Sequence, residues 1–309
     1  MAPTAAPVTV RAPAKVNLVL RVGRPRHDGF HPLNTVYQAI SLYDDVRVED
    51  AGRWQVSVTP LGDVDCSTVP LDQRNLAVRA GQALAAHHGL RRAASIEIGK
   101  GIPVAGGLAG GSADAAATLV ALDRLWDLHT PDDELLALAA ELGSDVPFSL
   151  LGGTAHGTGR GEQVVPVPDA GSHWWVVVPD ATGLSTPAVY REFDRLHPDV
   201  PLGSHVADPV GLLAALRVGD VPRVGAALTN DLEEPALSLR PELAERCALV
   251  RSHHDGPVLL SGSGPTLLAH ACSHEAATAT RLALLEAGVP VVHVATGPVA
   301  GAHVVELAG

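Results

Sequence analysis

Residues 103–117 read PVAGGLAGGSADAAA, and this stretch decides how the chain is understood. Four glycines, Gly106, Gly107, Gly110 and Gly111, lead into Ser112 and an alanine-rich run with helical spacing. Glycine frees the backbone, and a helix N-terminus presents unpaired N–H groups at the positive end of its dipole. The segment Pro103, Val104, Ala105, Gly106, Gly107, Leu108, Ala109, Gly110, Gly111, Ser112 therefore reads as a phosphate cradle. Two common cradles are excluded by spacing. The dinucleotide pattern G-x-G-x-x-G fails at Leu108 when counted from Gly106 and at Ala109 when counted from Gly107. Gly106 and Gly111 have the separation of a P-loop, but Ser112 follows directly, without the lysine.

The composition narrows the classes further. A net charge of -12 argues against a nucleic-acid surface, while leaving room for a local site that attracts phosphate. With 309 residues and 46% hydrophobic content, the chain can form one large or two ordinary domains. Aromatics make up only 3%, so Ala, Leu and Val must build the core. Cys66, Cys247 and Cys272 are scattered, with neither metal spacing nor an even count for disulfides, which fits a reducing cytoplasm. No apolar run is long enough for a membrane span, and the N-terminal stretch lacks a signal-peptide core and reads as a short lead-in. Lys+Arg total 22, yet only two are lysine, Lys15 and Lys100. Lys100 immediately precedes the glycine stretch, and a compact ammonium suits phosphate and hydroxyl chemistry.

Periodicity predicts strands at 8–10 and 15–22, separated by Pro13, and further strands at 35–42, 46–49, 54–58 and 95–98. Helices are expected at 75–88, at 113–128 with Ala115, Leu119, Leu122 and Trp126 buried, and at 131–142 with Thr130 as N-cap and Gly143 as the stop. Beyond these, strand 174–178 precedes a helix at 186–193, then helices at 209–217, 221–227 and 241–252. The tail reads strand 258–260, loop 261–265, strand 266–270, helix 275–287 and strand 291–294. Residues 197–209 are Pro/Gly-rich and acidic, a candidate linker.

The glycine stretch resembles the central motif of the GHMP kinase superfamily. Ala12-Pro13-Ala14-Lys15-Val16-Asn17-Leu18 resembles its N-terminal motif and Ser261-Gly262-Ser263-Gly264-Pro265-Thr266 its C-terminal glycine loop, in the same order. Arg26-His27-Asp28-Gly29-Phe30-His31, Arg74-Asn75-Leu76 and Leu142-Gly143-Ser144-Asp145-Val146-Pro147 resemble the branch that phosphorylates a diphosphocytidyl-linked methylerythritol on its 2-hydroxyl, in the non-mevalonate isoprenoid pathway. Homoserine- and mevalonate-type kinases, and a non-catalytic nucleotide-binding protein of the same fold, are the alternatives. The resemblance implies a mixed α/β (α+β) two-domain fold. An N-terminal ATP-binding domain at 1–182 would have a mixed sheet and carry the glycine loop; a ferredoxin-like C-terminal domain would span 183–309. It also implies ATP as phosphoryl donor, Mg²⁺ with it, a small-molecule cytidine diphosphate-linked substrate and a cytoplasmic enzyme.

Roles follow residue by residue. Asp145, between Gly143 and Pro147, is the candidate base, although an aspartate before a helix is also a natural N-cap. Lys15 is its expected partner, stabilising the moving phosphoryl group; the alternative is a solvated lysine at a strand end. Asn17 shares its strand face and can bond substrate or Asp145. By resemblance Phe30 and His31 hold the cytidine end, with Phe30 standing where the family usually has tyrosine; Tyr190 and Thr186 face the same substrate. Asn75 and Lys100 match positions near ATP, and the glycine stretch through Ser112 cradles its phosphates. No acidic residue stands out as a magnesium ligand, so the metal site is unassigned. The 261–266 loop reads equally as a closing loop and as a tight hairpin.

Overall fold

A computed structural model describes residues 6–180, 182–199 and 208–305. Along the chain come β1 (Val8–Val22), β2 (Leu33–Ala51), β3 (Gln55–Pro60), α1 (Leu76–His87) and β4 (Ala93–Lys100). The glycine stretch then enters α2 (Gly110–Trp126), followed by α3 (Asp132–Leu142), α4 (Val146–Leu151), β5 (Thr154–Thr158) and β6 (Gln163–Pro166). The second half holds β7 (His173–Val178), α5 (Thr186–Leu196), α6 (Val210–Val218), α7 (Val221–Ala227), β8 (Thr229–Asn230), α8 (Glu233–Leu239) and α9 (Glu242–Ser252). It ends with β9 (Val258–Leu260), β10 (Leu267–Ala271), α10 (His274–Glu286), β11 (His293–Gly297) and β12 (His303–Val304).

The first sheet is mixed and, among the described residues, eight-stranded. Its spine runs β12-β1-β2-β4-β3, with β5 and β6 continuing from β2 and β8 lying parallel to β1. The second sheet has the order β11-β7-β10-β9, all antiparallel. With helices between β7 and β9 and α10 between β10 and β11, this is the ferredoxin-like arrangement. α2 lies at the centre of the first half. Its alanines let it pack against α1, β1, β2 and α4 at once, so Asp114 and Thr118 are buried together with Ala115, Leu119, Leu122 and Trp126. α1 approaches closely at Gly81, where a Cβ would stand 2.5 Å from the Trp54 ring.

Several expectations are corrected. Pro13 does not break the first strand: β1 runs through it, and the register against β2 shifts between Pro13 and Ala14, a bulge that absorbs the missing N–H. The expected strands at 35–42 and 46–49 are one strand, β2. Thr130 is not the cap of α3; its hydroxyl bonds Asp123, and Pro131 takes the cap position. α8 had no counterpart in the periodicity, because Pro235 looks like a breaker yet sits in the first turn, where no intrahelical N–H is needed. The division at 182/183 leaves β7 on the N-terminal side although β7 lies inside the second sheet, and β8 and β12 return to the first. Most of the candidate linker, residues 200–207, and the first five residues of the lead-in lie outside the described residues. No helix among the described residues is long and apolar enough to cross a membrane.

The sheets are joined by a buried polar network. His173 Nδ1 lies 3.1 Å from His270 Nε2, and His173 Nε2 lies 3.3 Å from Asp169 Oδ1. Asp169 Oδ2 accepts from Gln38 Nε2 (2.9 Å) and Thr154 Oγ1 (2.7 Å), while Trp175 Nε1 donates to Gln38 Oε1 (3.0 Å). Burial raises the Asp169 carboxyl, but bonds from His173 and Thr154 outweigh it and hold the group below its ordinary range. Burial, then the neighbouring His173 and His254, push the His270 imidazole down to about 4. Between pH 6.5 and about 4 the unfolded chain therefore binds a proton that the folded chain does not, so stability falls with pH in that window and is untouched by this residue above it. The shift is worth roughly 3 kcal/mol. In urea titrations at about pH 7 and about pH 4.5, His270→Asn is expected to lose less stability on acidification than the unaltered protein; equal losses would refute the role.

Candidate active site

A cleft of about 1060 Å³ runs between the glycine stretch, β1, the Gly29–His31 turn, the start of α4, α5 and the 262–264 loop. One wall is built from strained backbone. Ala105 (φ 55), Gly107 (φ 81) and Ala109 (φ 59) all lie in the left-handed region, which for a non-glycine residue costs about 1–3 kcal/mol. Ala109 is the N-cap of α2, so the N–H groups of Gly110, Gly111 and Ser112 have no partner within the helix. The loop carbonyls are held from behind: the Lys15 backbone N–H donates to Leu108 O (3.1 Å), and Ser261 Oγ donates to Gly107 O (3.1 Å).

The 261–266 segment is both things the sequence allowed: it joins antiparallel β9 and β10 as a hairpin, with Ser261 N donating to Thr266 O (2.9 Å), and it packs against the glycine stretch. A Cβ at Gly264 would stand 2.5 Å from the Gly106 carbonyl and the Gly107 nitrogen. Ser263 Oγ and Thr186 Oγ1 are 2.8 Å apart, tying the loop to α5. Asn230 Nδ2 donates to Leu260 O (2.9 Å) and Gly262 O (2.7 Å), anchoring it to the strand beside β1.

On the opposite wall Lys15 Nζ lies 3.8 Å from Asp145 Oδ2. Asp145 occupies the N-cap position of α4, but its side chain makes no capping bond, so the carboxylate faces the cleft and not its own helix. Asn17 Oδ1 accepts from Lys15 Nζ (2.8 Å), and Asn17 Nδ2 donates to Thr35 Oγ1 (2.8 Å), which in turn donates to Val19 O (2.7 Å). Asn17 thus aims the ammonium. Tyr37 lies opposite Asn17 on β2, with Lys15 Nζ 5.6 Å from its ring centroid. Burial, then the charge of Asp145, push its hydroxyl well above the ordinary tyrosine range, so it stays protonated. The Tyr190 hydroxyl is raised by the same two causes.

At the far end, the rings of His31 and Tyr190 lie 4.8 Å apart, and His31 Nε2 is 3.0 Å from Asp194 Oδ1. Phe30 is 49% exposed, an aromatic face open to a ligand, with the Arg160 guanidinium 4.8 Å from its centroid. One end of the cleft therefore suits a phosphate chain and the other a planar ring, with a base and an ammonium between them.

Two family models match parts of the chain: "GHMP kinases N terminal domain" matches residues 75–153, which hold the glycine stretch and Asp145, and "GHMP kinases C terminal" matches residues 212–289, which hold the 261–266 loop. A Nocardioides protein named 4-diphosphocytidyl-2-C-methyl-D-erythritol kinase is 58% identical over 97% of this chain and 100% of its own. A Kineococcus radiotolerans protein of the same name is 51% identical over 91% of this chain and 86% of its own. The chain belongs to the GHMP kinase family. A crystal structure of a 4-(cytidine 5'-diphospho)-2C-methyl-D-erythritol kinase shares the fold with a TM-score of 0.74 at 34% identity, covering 93% of this chain and 98% of that one.

Within this GHMP kinase, three residues named for the nucleotide sit differently from expectation. Asn75 caps α1, its Oδ1 accepting from Ala77 N (2.9 Å) and its Nδ2 donating to Pro70 O (2.8 Å), and it does not line the cleft. Ser112 belongs to the first turn of α2 but is likewise not in the cleft wall. Lys100 does line it, yet is only 2% exposed and already matched: its Nζ donates to Asp44 Oδ2 (2.5 Å) and Asp114 Oδ2 (2.9 Å). Burial lowers the Lys100 ammonium, but the two carboxylates outweigh it; burial and the Asp114 charge push Asp44 well above the ordinary carboxylate range. Tyr37, Asp44, Asp194 and Asn230 are the residues that sequence reasoning missed. Tyr37 and Asp44 lie on a strand whose alternation gave no hint of polar partners elsewhere.

The two loops touch through backbone, so side-chain bulk there has nowhere to go. Gly264→Ala is expected to cost about 1–3 kcal/mol of stability and to raise the KM for nucleotide. Calorimetry and steady-state kinetics check it; unchanged values of both would remove the loop contact from the site's architecture.

Proposed function

We propose that this protein transfers the γ-phosphoryl group of ATP to the 2-hydroxyl of 4-diphosphocytidyl-2-C-methyl-D-erythritol. The observation that carries this is the 3.8 Å approach of Lys15 Nζ to Asp145 Oδ2 in a cleft whose other wall is the glycine cradle. The names of the relatives and the exposed Phe30 beside His31 and Tyr190 support the cytidyl acceptor.

The unpaired N–H groups at the start of α2 hold the phosphate chain of ATP. Phe30 and Tyr190 flank the cytosine by stacking, and His31, oriented by Asp194, reads its polar edge. Thr186, bridged to Ser263, lies along the acceptor between them. Asp145 accepts the proton of the attacking hydroxyl. The hydroxyl oxygen forms the new bond to the γ-phosphorus as the bond to the β-phosphate bridge oxygen breaks and ADP leaves. Lys15 neutralises charge on the transferring group beside Asp145, while Asn17 fixes its direction. Most of the acceleration comes from this placement and charge matching, positioning alone supplying about 7–11 kcal/mol. Magnesium is expected with ATP. Among the described residues no cluster of three His, Cys, Asp or Glu side chains is suited to a resident ion. Action in the cytoplasm completes the reading.

Asp145→Asn is expected to bind an unreactive ATP analogue normally while kcat falls about 10²–10⁴-fold. Lys15→Arg should lose about 10²-fold, because a guanidinium cannot occupy the buried point-charge position between Asn17 and Asp145. A panel of cytidyl acceptor, homoserine and mevalonate tests the substrate. Turnover of either small alcohol without turnover of the cytidyl compound would overturn the assignment, and normal activity in Asp145→Asn would overturn the mechanism.

A further inference from the structure

The Asp44–Lys100–Asp114 cluster stands out because it buries three charges beside a site built to receive a polyanion. Asp44 is on β2, Lys100 ends β4 immediately before the glycine loop, and Asp114 is on α2 immediately after it. Their relative exposures are 0%, 2% and 3%. Asp44 does more than neutralise the lysine. Its Oδ1 accepts from the backbone N–H of both Gly101 (2.8 Å) and Ile102 (2.9 Å), the first residues of the loop, while its Oδ2 takes the ammonium. At the other end of the loop, Gly110 passes directly over the cluster; a Cβ there would stand 3.0 Å from Lys100 Nζ.

We propose that Asp44, Lys100 and Asp114 form a staple that clamps the two ends of the glycine loop together, and that Lys100 is a positioning residue and not a phosphate ligand. Three features meet in this reading. The loop contains left-handed alanines at 105 and 109, so it needs external restraint to hold its shape. Both acceptor oxygens of Asp44 are used, one on loop backbone and one on the lysine. The lysine is buried against two carboxylates, so the net charge of the cluster is negative when all three are ionised, the wrong sign for attracting ATP. The cluster therefore serves nucleotide binding through geometry and not through charge attraction.

That sign gives a decisive experiment, which rests on the reading above that ATP binds in the glycine cradle. Binding of an unreactive ATP analogue to the unaltered protein tests that premise first; no binding there defeats the premise, not the staple. Asp44→Asn keeps an acceptor for the Gly101 and Ile102 N–H groups but turns an amide toward the Lys100 ammonium. If the cluster acted by charge alone, removing an anion would leave nucleotide affinity unchanged or tighten it. The staple requires the opposite: the dissociation constant rises at least about tenfold, the KM for the acceptor stays within about twofold, and amide exchange over 101–110 accelerates. Asp114→Asn retains an oxygen for Lys100 and is expected to show the same pattern more weakly, which keeps the test open if Asp44→Asn does not fold. Unchanged or tighter nucleotide binding in the folded variants, with unchanged exchange over the loop, would overturn the staple. Loss confined to kcat, with nucleotide affinity intact, would overturn it too and return Lys100 to a direct role at the phosphates.

Discussion

The contact on which the rest of the structure depends is the backbone-to-backbone approach of two glycine loops, one from each half of the chain. Gly106 and Gly107 meet Ser261 and Gly264 with no room for a Cβ at the closest points. Because this contact sets where α2 begins relative to the second sheet, it also sets the width of the cleft. It places Thr186 and Tyr190 of α5 across from Lys15 and Asp145, and the Ser261 and Ser263 hydroxyls then tie the loop to both walls. Side-chain contacts would have served less well, since they can rearrange through rotamers, whereas close-packed main chain at this spacing cannot.

The two lysines show how the same side chain is given opposite tasks by its surroundings. Lys15 has one neutral partner, Asn17, and a partly exposed carboxylate at 3.8 Å, so its ammonium is oriented toward the cleft. Lys100 is enclosed by two carboxylates and its field is cancelled locally. An arginine would suit neither position: beneath Gly110 its planar fork has little room, and beside Asn17 and Asp145 it spreads the compact charge that an ammonium concentrates. The scarcity of lysine in an arginine-rich chain thus has a physical reason at both positions, although the reasons differ.

Where sequence and structure part company, the cause is long-range pairing. Pro13 looked like a break because proline lacks an N–H, but a bulge against Tyr43 absorbs the defect. Asp145 could have been a cap or a free carboxylate; nothing within its own segment distinguishes the two, and only Lys15 and Tyr37, brought in by β1 and β2, turn it to the cleft. Asn75 shows the reverse, a residue near a binding motif whose side chain is fully used by its own helix and the preceding loop. Asp44 stands 56 residues before Lys100, and in the sequence it is one acid among 34.

By itself the sequence determined the features governed by local chemistry. These include the glycine-rich entrance to α2, the helix carrying it, and the order of strands and helix from β9 to β11. Each depends on spacing, turn chemistry or periodicity over a few residues. Only the tertiary structure decided which charges remain available. Burial and distant partners leave the ammonium of Lys15 beside the cleft but neutralise that of Lys100, leave the carboxylate of Asp145 facing the cleft but occupy that of Asp44, and draw β7, β8 and β12 across the boundary that the family resemblance implied. Electrostatic role is set by the neighbours a group meets in space, and these neighbours come from strands and helices far apart in the chain.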